Sequence, residues 1–232
     1  MKSLSLIVPA HNEEKRILDS LESYLGLLNK HDEIIVVCNG CIDNTFNLVN
    51  EFLKKHKNIR LINIDKRIGK GAAILNGFNE SKKEYIGFLD ADNSFNLDHI
   101  KNMIKDIKTN KKDMIIASKW KDNSFFKVPE SFMRKIAAIG WNFLTKLLFG
   151  LNFKDTQAGA KFFNRKVIDS INLNFICTGF DFDVELLYKV KEKGFNIEER
   201  HITSTPMEFS TFHLKYVPKM FFNLIRFWRS SL

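Results

Sequence analysis

The segment YIGFLDADNS, residues 85–94, decides the fold that we predict for this chain. Its first five residues form a short apolar run with aromatic and β-branched side chains, and polar and turn-forming residues follow. This pattern is typical of a buried strand. Two aspartates, Asp90 and Asp92, stand at the end of the run. The segment therefore predicts a buried strand that brings two carboxylates to one edge of a sheet.

The same alternation continues outward from this segment through the first 118 residues. Apolar runs predict strands at residues 5–9, 33–38, 59–64, 85–90 and 113–118. Apolar residues at helical spacing predict helices at residues 13–28, 44–56, 71–81 and 97–109. Repetition of strand, helix and strand predicts an α/β fold with a Rossmann-like, mostly parallel sheet flanked by helices. Ligands of such sheets bind beyond the carboxyl ends of the strands.

The pattern changes after residue 118. We predict a polar loop at residues 119–129, helices at 131–149, 181–193 and 218–230, and a strand at 195–202. The first and last of these helices are amphipathic and basic, so each either lies in the headgroup layer of an anionic membrane or covers the core. We expect one domain over residues 1–209, followed by a helical segment at 210–232 that faces a membrane or packs.

Basic residues are concentrated in two segments of the second half. The net charge is +9, of which residues 119–154 contribute +5 and residues 210–232 contribute +4. This distribution favours a surface for anionic lipid or for a phosphorylated ligand. Because the sequence contains no long run of lysine or arginine, we do not expect it to bind nucleic acid.

The remaining composition bears on location. We find no signal peptide and no uncharged apolar run of the roughly 18–20 residues that a membrane-spanning helix needs. Three cysteines, an odd number, favour a reducing compartment. We therefore expect a cytoplasmic protein that is soluble or peripheral on the inner face of the membrane.

Asp90 and Asp92 are the first candidate site. Two carboxylates one residue apart at a strand end can share a divalent cation whose other ligands are phosphate oxygens. The alternative is a solvated turn. The segment GKGAA, residues 69–73, is a second candidate, because a helix start attracts phosphate and Lys70 adds a positive charge. The alternative for this segment is a flexible helix start.

Three further motifs have both a functional and a structural interpretation. In PAHNEE, residues 9–14, Glu13 either contacts a nucleoside or favours the positive end of the following helix. The CNGC motif, residues 38–41, is a redox or zinc pair or, as we favour, a tight turn with incidental thiols. The FDFDVE motif, residues 180–185, places three carboxylates in one helical turn, for chemistry or for capping.

Taken together and in order, these motifs resemble family-2 glycosyltransferases of the GT-A fold, most of all the dolichyl- or polyprenyl-phosphate sugar synthases. The matching segments are VPAHNEE, VCNGCIDNT, IGKGAAILNGF, FLDADNS, ASKW, DTQAGAKFF and FDFDVELLY. They extend from residue 6 to about residue 188. The resemblance implies a nucleotide-sugar donor, UDP- or GDP-linked, and inversion at the anomeric carbon.

The resemblance also implies roles for individual residues. The nucleoside would contact Pro9, Ala10, Glu13, Cys38 and Asn39. The diphosphate would lie near Lys70, Gly71 and Ala91, and Mg²⁺ or Mn²⁺ would bind Asp90 and Asp92. The sugar and acceptor side would be lined by Asp155, Thr156 and Gln157, and an acceptor phosphate would bind Lys119 and Arg134.

The acceptor decides whether a catalytic base is needed. A lipid phosphate is already anionic at neutral pH, whereas a sugar hydroxyl on a glycan would need a carboxylate base, with Asp155 or Asp181 as candidates. The sequence departs from the family pattern at Cys38 and Asn39, where two aspartates are usual, and at Ser94, where glutamine is common. Lys119 replaces a more usual arginine. These departures leave a non-catalytic binding protein as a further alternative.

Overall fold

The structure is a computed structural model that describes residues 2–109, 112–120, 132–204 and 216–231, without the side chains of residues 132–134 and 136. Its strands are β1 (Leu4–Ala10), β2 (Glu33–Asn39), β3 (Ile59–Ile64), β4 (Tyr85–Leu89), β5 (Met114–Ser118), β6 (Ala160–Asn164) and β7 (Ile197–His201). Its helices are α1 (Ile17–Leu25), α2 (Thr45–Leu53), α3 (Lys70–Glu80), α4 (Leu97–Thr109), α5 (Phe132–Phe149), α6 (Arg165–Ser170), α7 (Phe182–Glu192) and α8 (Val217–Ser231).

The strands form one sheet in the order β3-β2-β1-β4-β6-β5-β7. Neighbouring strands are parallel except that β6 runs antiparallel to both β4 and β5. The five strands predicted in the first half of the chain are all present. The prediction of a mostly parallel sheet flanked by helices is therefore confirmed.

Alternate side chains of the strands pack into two apolar cores, one on each face of the sheet. Ile7 of β1 packs with α3, α5, α7 and α8, whereas its neighbours Leu6 and Val8 pack with α1, α2 and α4. This separation follows from the two-residue repeat of a strand. The carboxyl ends of β1, β2 and β4 consequently meet at one edge between the two helical layers.

Two elements were not predicted from the sequence, β6 and α6. Residues 155–161 were interpreted as polar with a possible turn, but Ala160 and Lys161 begin β6. Lys161 is completely buried in this strand, between apolar neighbours. A charged residue at a buried position breaks the apolar run from which a strand is recognised.

The C-terminal helix α8 packs on the domain. Met220, Leu224 and Phe227 are buried in the same core as α3 and α7, and the rings of Phe227 and Phe149 stack with centroids 5.2 Å apart. Part of its apolar face is therefore buried in the core, whereas Phe221 and Phe222 on the same helix are exposed. Within the described ranges, no helix combines the length and apolar character required to cross a bilayer.

Candidate active site

The two aspartates that follow β4 lie beside the lysine that begins α3. The Lys70 ammonium is 2.5 Å from Asp90 Oδ1. Burial alone would lower the pKa of Lys70, but the charges of Asp90 and Asp183 raise it above its usual value. Lys70 is therefore held as a cation at the edge where a diphosphate is predicted to bind.

Negative charge accumulates around this pair. Burial, and then the neighbouring charge of Asp90, raise the pKa of Asp92. Burial also raises the pKa of Glu13, against its ion pair with Arg16, and Asp92 and Asp90 add to this effect. The three carboxylates thus repel one another, and a bound cation would relieve that repulsion.

Side chains of α1 hold the Asp90–Asp92 loop from behind. Tyr24 donates a 2.6 Å hydrogen bond to the carbonyl oxygen of Asp90, and Ser20 donates one of 2.9 Å to that of Ala91. Asn93 adopts a positive φ of 52° and bonds to Ser23 through its side chain. Sequence reasoning missed this support, because no local pattern connects residues about 70 positions apart.

The loop before β6 encloses Asp90 from the other side. The Asp90 amide donates a 3.0 Å hydrogen bond to the Gly159 carbonyl. A Cβ atom at position 159 would lie 1.9 Å from Asp90 Oδ2. Only glycine leaves room for the carboxylate here, so the loop and Asp90 fix each other's position.

These residues fit a divalent cation. Asp90 and Asp92 offer carboxylate oxygens, which are the ligands that Mg²⁺ and Mn²⁺ prefer. Ser94 supports Asp92 by donating from its amide, 3.0 Å from Asp92 Oδ1, and from its hydroxyl. The part of the chain described by the structure contains no group of three or more His, Cys, Asp or Glu arranged as metal ligands. The other ligands of a cation would therefore be phosphate oxygens or water.

Asn39 connects the end of β2 to the loop before α3. Its side-chain amide donates to the Gly69 carbonyl at 3.0 Å, and its side-chain oxygen accepts from the Ile68 amide at 2.8 Å. Aspartate could accept from Ile68 but could not donate to Gly69. The departure from the family pattern at this position therefore has a structural reason.

The CNGC motif, which we expected to form a tight turn, has Cys38 in strand β2 and Cys41 just after the bend at Gly40. Gly40 has a φ of 62°, and a Cβ atom there would lie 2.3 Å from the Arg67 amide. Cys38 is buried at the end of β2, opposite Ala10. The Cys38 thiol donates a hydrogen bond to the Cys41 sulfur, and this hydrogen bond lowers the pKa of Cys41 to about 7. The neighbouring Pro9 lies opposite Val37 in the same pair of strands.

The first residues of α3 are hydrogen-bonded to the loop before α7. The amides of Gly71 and Ala72 donate to the carbonyls of Gly179 and Thr178, at 3.2 and 3.0 Å. A Cβ atom at Gly71 would lie 2.3 Å from the Cβ of Phe182, so this glycine allows close packing. A phosphate at this edge would therefore meet the Lys70 side chain rather than these two amides.

Asp155 and Gln157 line the adjoining wall. Asp155 Oδ2 accepts from the Lys119 amide at 3.0 Å, and Oδ1 accepts from the Gln157 amide at 3.2 Å. The side chain of Gln157 donates to the Phe180 carbonyl at 3.0 Å. Both oxygens of the Asp155 carboxylate are thus used to join β5 to the loop before β6.

Asp181 is also hydrogen-bonded, to α8 and to the loop before α7. Its two carboxylate oxygens accept from the Gly179 amide at 3.0 Å and from the Asn223 side chain at 2.8 Å. Burial raises the pKa of Asp181, against these hydrogen bonds.

The Lys119 ammonium lies over the Phe95 ring, 5.8 Å from its centroid. The Arg134 side chain, predicted to bind an acceptor phosphate, lies outside the described residues.

A sequence model described as "Glycosyl transferase family 2" matches residues 5–171. The chain belongs to this family. It is 31% identical over 235 residues to a dolichyl-phosphate beta-glucosyltransferase of Trichomonas vaginalis, covering 96% of this chain and 72% of that one. It is also 31% identical over 222 residues to the dolichyl-phosphate beta-glucosyltransferase of Homo sapiens, covering 89% and 68%. The predicted family is therefore confirmed, and the protein is a glycosyltransferase.

The solved structures agree on the fold. Glucosyl-3-phosphoglycerate synthase from Mycobacterium tuberculosis, in complex with UDP, superposes with a TM-score of 0.73 at 17% identity, covering 99% of this chain and 79% of that one. The same enzyme with Mn²⁺, UDP and phosphoglyceric acid gives 0.70 at 17% identity, covering 97% and 78%. This likeness confirms the predicted GT-A fold for the chain.

Proposed function

We propose that this glycosyltransferase moves glucose from a nucleoside-diphosphate glucose to a polyprenyl phosphate, with inversion at the anomeric carbon and a divalent cation at Asp90 and Asp92. Relatives named dolichyl-phosphate beta-glucosyltransferases support both the sugar and the acceptor. An α-linked donor and a β-linked product require inversion.

The relatives named for dolichyl phosphate carry the choice of acceptor, and the contacts of Asp155 and Asp181 agree with it. Each uses both carboxylate oxygens to accept hydrogen bonds from the surrounding structure. A sugar hydroxyl would require one of them to accept a proton as it attacks. A phosphate monoester is already anionic, so its oxygen can attack the anomeric carbon while both aspartates keep their structural roles.

On the donor side, the reaction chiefly requires stabilisation of the negative charge that develops on the leaving diphosphate. When bound, Mg²⁺ or Mn²⁺ supplies electrostatic stabilisation of the leaving diphosphate. Asp90 and Asp92 would hold it, with Tyr24 and Ser20 keeping their loop in place. When the donor binds, Lys70 would leave its ion pair with Asp90 and contact a phosphate oxygen instead. Its raised pKa keeps it cationic for this role.

A membrane would present the lipid acceptor, and α5 offers a surface for it. Ile139, Phe143 and Leu147 recur every four residues along this helix and are 52%, 67% and 68% exposed. The polar residues Lys135 and Thr145 on the same helix are buried. The helix also buries Trp141 and Phe149, so it carries an outward apolar stripe in addition to the apolar side chains that it packs on the core. A helix face that meets only water usually carries polar residues, so we infer that this outer stripe contacts an anionic bilayer.

A panel of labelled donors tests the proposed function. Purified protein with Mg²⁺ would receive UDP-glucose, GDP-glucose or UDP-galactose, with polyprenyl phosphate or with the matching polyprenol. We expect label from one glucose donor to enter the organic phase only with the phosphorylated lipid, and Asp92→Ala to abolish this transfer. Equal use of polyprenol, or transfer only to a glycan acceptor, would contradict the proposal.

A further inference from the structure

A second ion pair lies behind the Lys70–Asp90 pair. Lys161 of β6 is completely buried, and its ammonium is 2.6 Å from Asp183 Oδ1 and 2.8 Å from the Ala158 carbonyl oxygen. Asp183, in the first turn of α7, is also buried. Two buried charges are costly to keep, and a hydrophobic pair of similar size is often no less stable. Their presence calls for a role besides stability.

The position of Lys161 connects it with the candidate active site. In the sheet it lies opposite Phe88 of β4, whose strand ends one residue before Asp90. Its ammonium is 5.4 Å from the centroid of the Phe88 ring. Its bond to Ala158 also holds the loop in which Gly159 encloses Asp90. Lys161 thus contacts both segments that determine where Asp90 lies.

Asp183 connects the two lysines electrostatically. Burial raises its pKa, the charges of Lys161 and Lys70 oppose this rise, and the charge of Asp90 adds to it. The same carboxylate raises the pKa of Lys70, second only to Asp90 among the charges that act on it. Four groups of alternating sign, Lys161, Asp183, Lys70 and Asp90, therefore form one charge cluster. Within it, Lys70 makes its ion pair with Asp90, and Lys161 makes its ion pair with Asp183.

We propose that Lys161 and Asp183 are positioning residues whose paired charges, beside the loop that encloses Asp90, set the affinity of the aspartate pair for a divalent cation. The proposal rests on the proposed cation site at Asp90 and Asp92. Without the charge of Asp183, the buried Lys161 ammonium would be unpaired and would repel a cation at the aspartate pair. Without the charge of Lys161, the unpaired Asp183 carboxylate would attract a cation there.

The two single substitutions should change the cation affinity in opposite directions, which a purely structural role would not produce. One unit of charge about 8 Å from a divalent cation changes its affinity roughly tenfold at an effective dielectric constant of about 60, close to that of water. We expect Asp183→Asn to bind Mn²⁺ about tenfold more weakly and Lys161→Met to bind it several-fold more tightly. The double variant, which restores the charge balance, is expected to lie within about threefold of the unmodified protein.

The test is a titration of the full chain with Mn²⁺ alone, with free Mn²⁺ measured by electron paramagnetic resonance. The Asp92→Ala variant shows whether binding occurs at the aspartate pair, and circular dichroism shows that each variant is folded. If Lys161→Met does not fold, the double variant replaces it, because removing Lys161 from Asp183→Asn should then restore tighter binding.

Weaker binding in both single variants, or no change in either, would overturn the positioning role while leaving the cation site intact. Absence of Mn²⁺ binding by the unmodified protein would overturn both the positioning role and the proposed cation. Lys161→Arg keeps the charge, so its affinity should stay within about threefold of that of the unmodified protein.

Discussion

Replacing Gly159 with alanine tests how closely the loop before β6 controls the position of Asp90. The new Cβ atom would start 1.9 Å from Asp90 Oδ2 and 2.2 Å from its Cγ. Ordinary contact begins at 3.4 Å, so the carboxylate must move by about 1.5 Å. That displacement separates Asp90 from Lys70 and from the proposed cation. Because a misplacement of about 1 Å in an active site can cost roughly 100-fold in rate, we expect Gly159→Ala to lower kcat/KM at least that much.

The assay is the initial rate of glucose transfer to polyprenyl phosphate over a range of Mg²⁺ concentrations. Gly140→Ala is the matched control, because a Cβ atom there meets nothing within 4 Å. In the control we expect unchanged activity and, since Gly140 lies within α5, a stability gain of up to about 1 kcal/mol. A Gly159→Ala protein that retains kcat/KM within threefold would show that this loop does not control the position of Asp90.

Three further predictions concern the rest of the site and the proposed membrane surface. Asn39→Asp places a carboxylate against the Gly69 carbonyl in a buried position, so urea unfolding should show a loss of about 1–3 kcal/mol; an unchanged midpoint would contradict this. Phe143→Ser should reduce flotation with anionic vesicles roughly tenfold, whereas Ile42→Ser, also exposed but on the loop after β2, should not; equal losses would count against the α5 surface. Cys41, whose pKa the Cys38 thiol lowers to about 7, should react with iodoacetamide at a rate that rises through pH 7 and then levels off, and a midpoint above pH 8 would show that this hydrogen bond is absent.

The sequence was a good guide to the fold where a strand is continuously apolar. All five strands of the first half were predicted. Four of them are buried on both faces and contain nearly uninterrupted apolar runs, whereas the edge strand β3 is only partly buried. The prediction failed at β6, where Lys161 occupies a buried position. Its charge is compensated by Asp183, 22 positions away, and no local pattern reveals such a partner.

The residues of the candidate site likewise fall into two groups, those that the sequence could suggest and those that it could not. Asp90, Asp92 and Lys70 could be proposed from the sequence because their residue types and their place at strand and helix ends indicate cation and phosphate chemistry. The residues that hold them, such as Tyr24 and Gly159, could not, because their importance depends on contacts made only in the folded chain. The structure further shows that Asp155 and Asp181 support the backbone around the site, a use that their residue type does not distinguish from catalysis.

Two departures from the family pattern are compatible with an active enzyme. Asn39 makes the two hydrogen bonds that hold the loop before Lys70, and Ser94 supports Asp92 through its amide and hydroxyl. Both residues therefore stabilise the segments that carry the proposed donor site. These contacts weaken the alternative of a non-catalytic binding protein.

The anomeric configuration of the lipid product, made from UDP-glucose and polyprenyl phosphate and determined by proton NMR, is a direct test of the proposed metal-dependent transfer with inversion. We expect a β-linked glucosyl phosphate that forms with Mg²⁺ or Mn²⁺, stops forming after chelation and forms again when the cation is restored. An α-linked product, or transfer that continues undiminished in the chelator, would contradict the proposal.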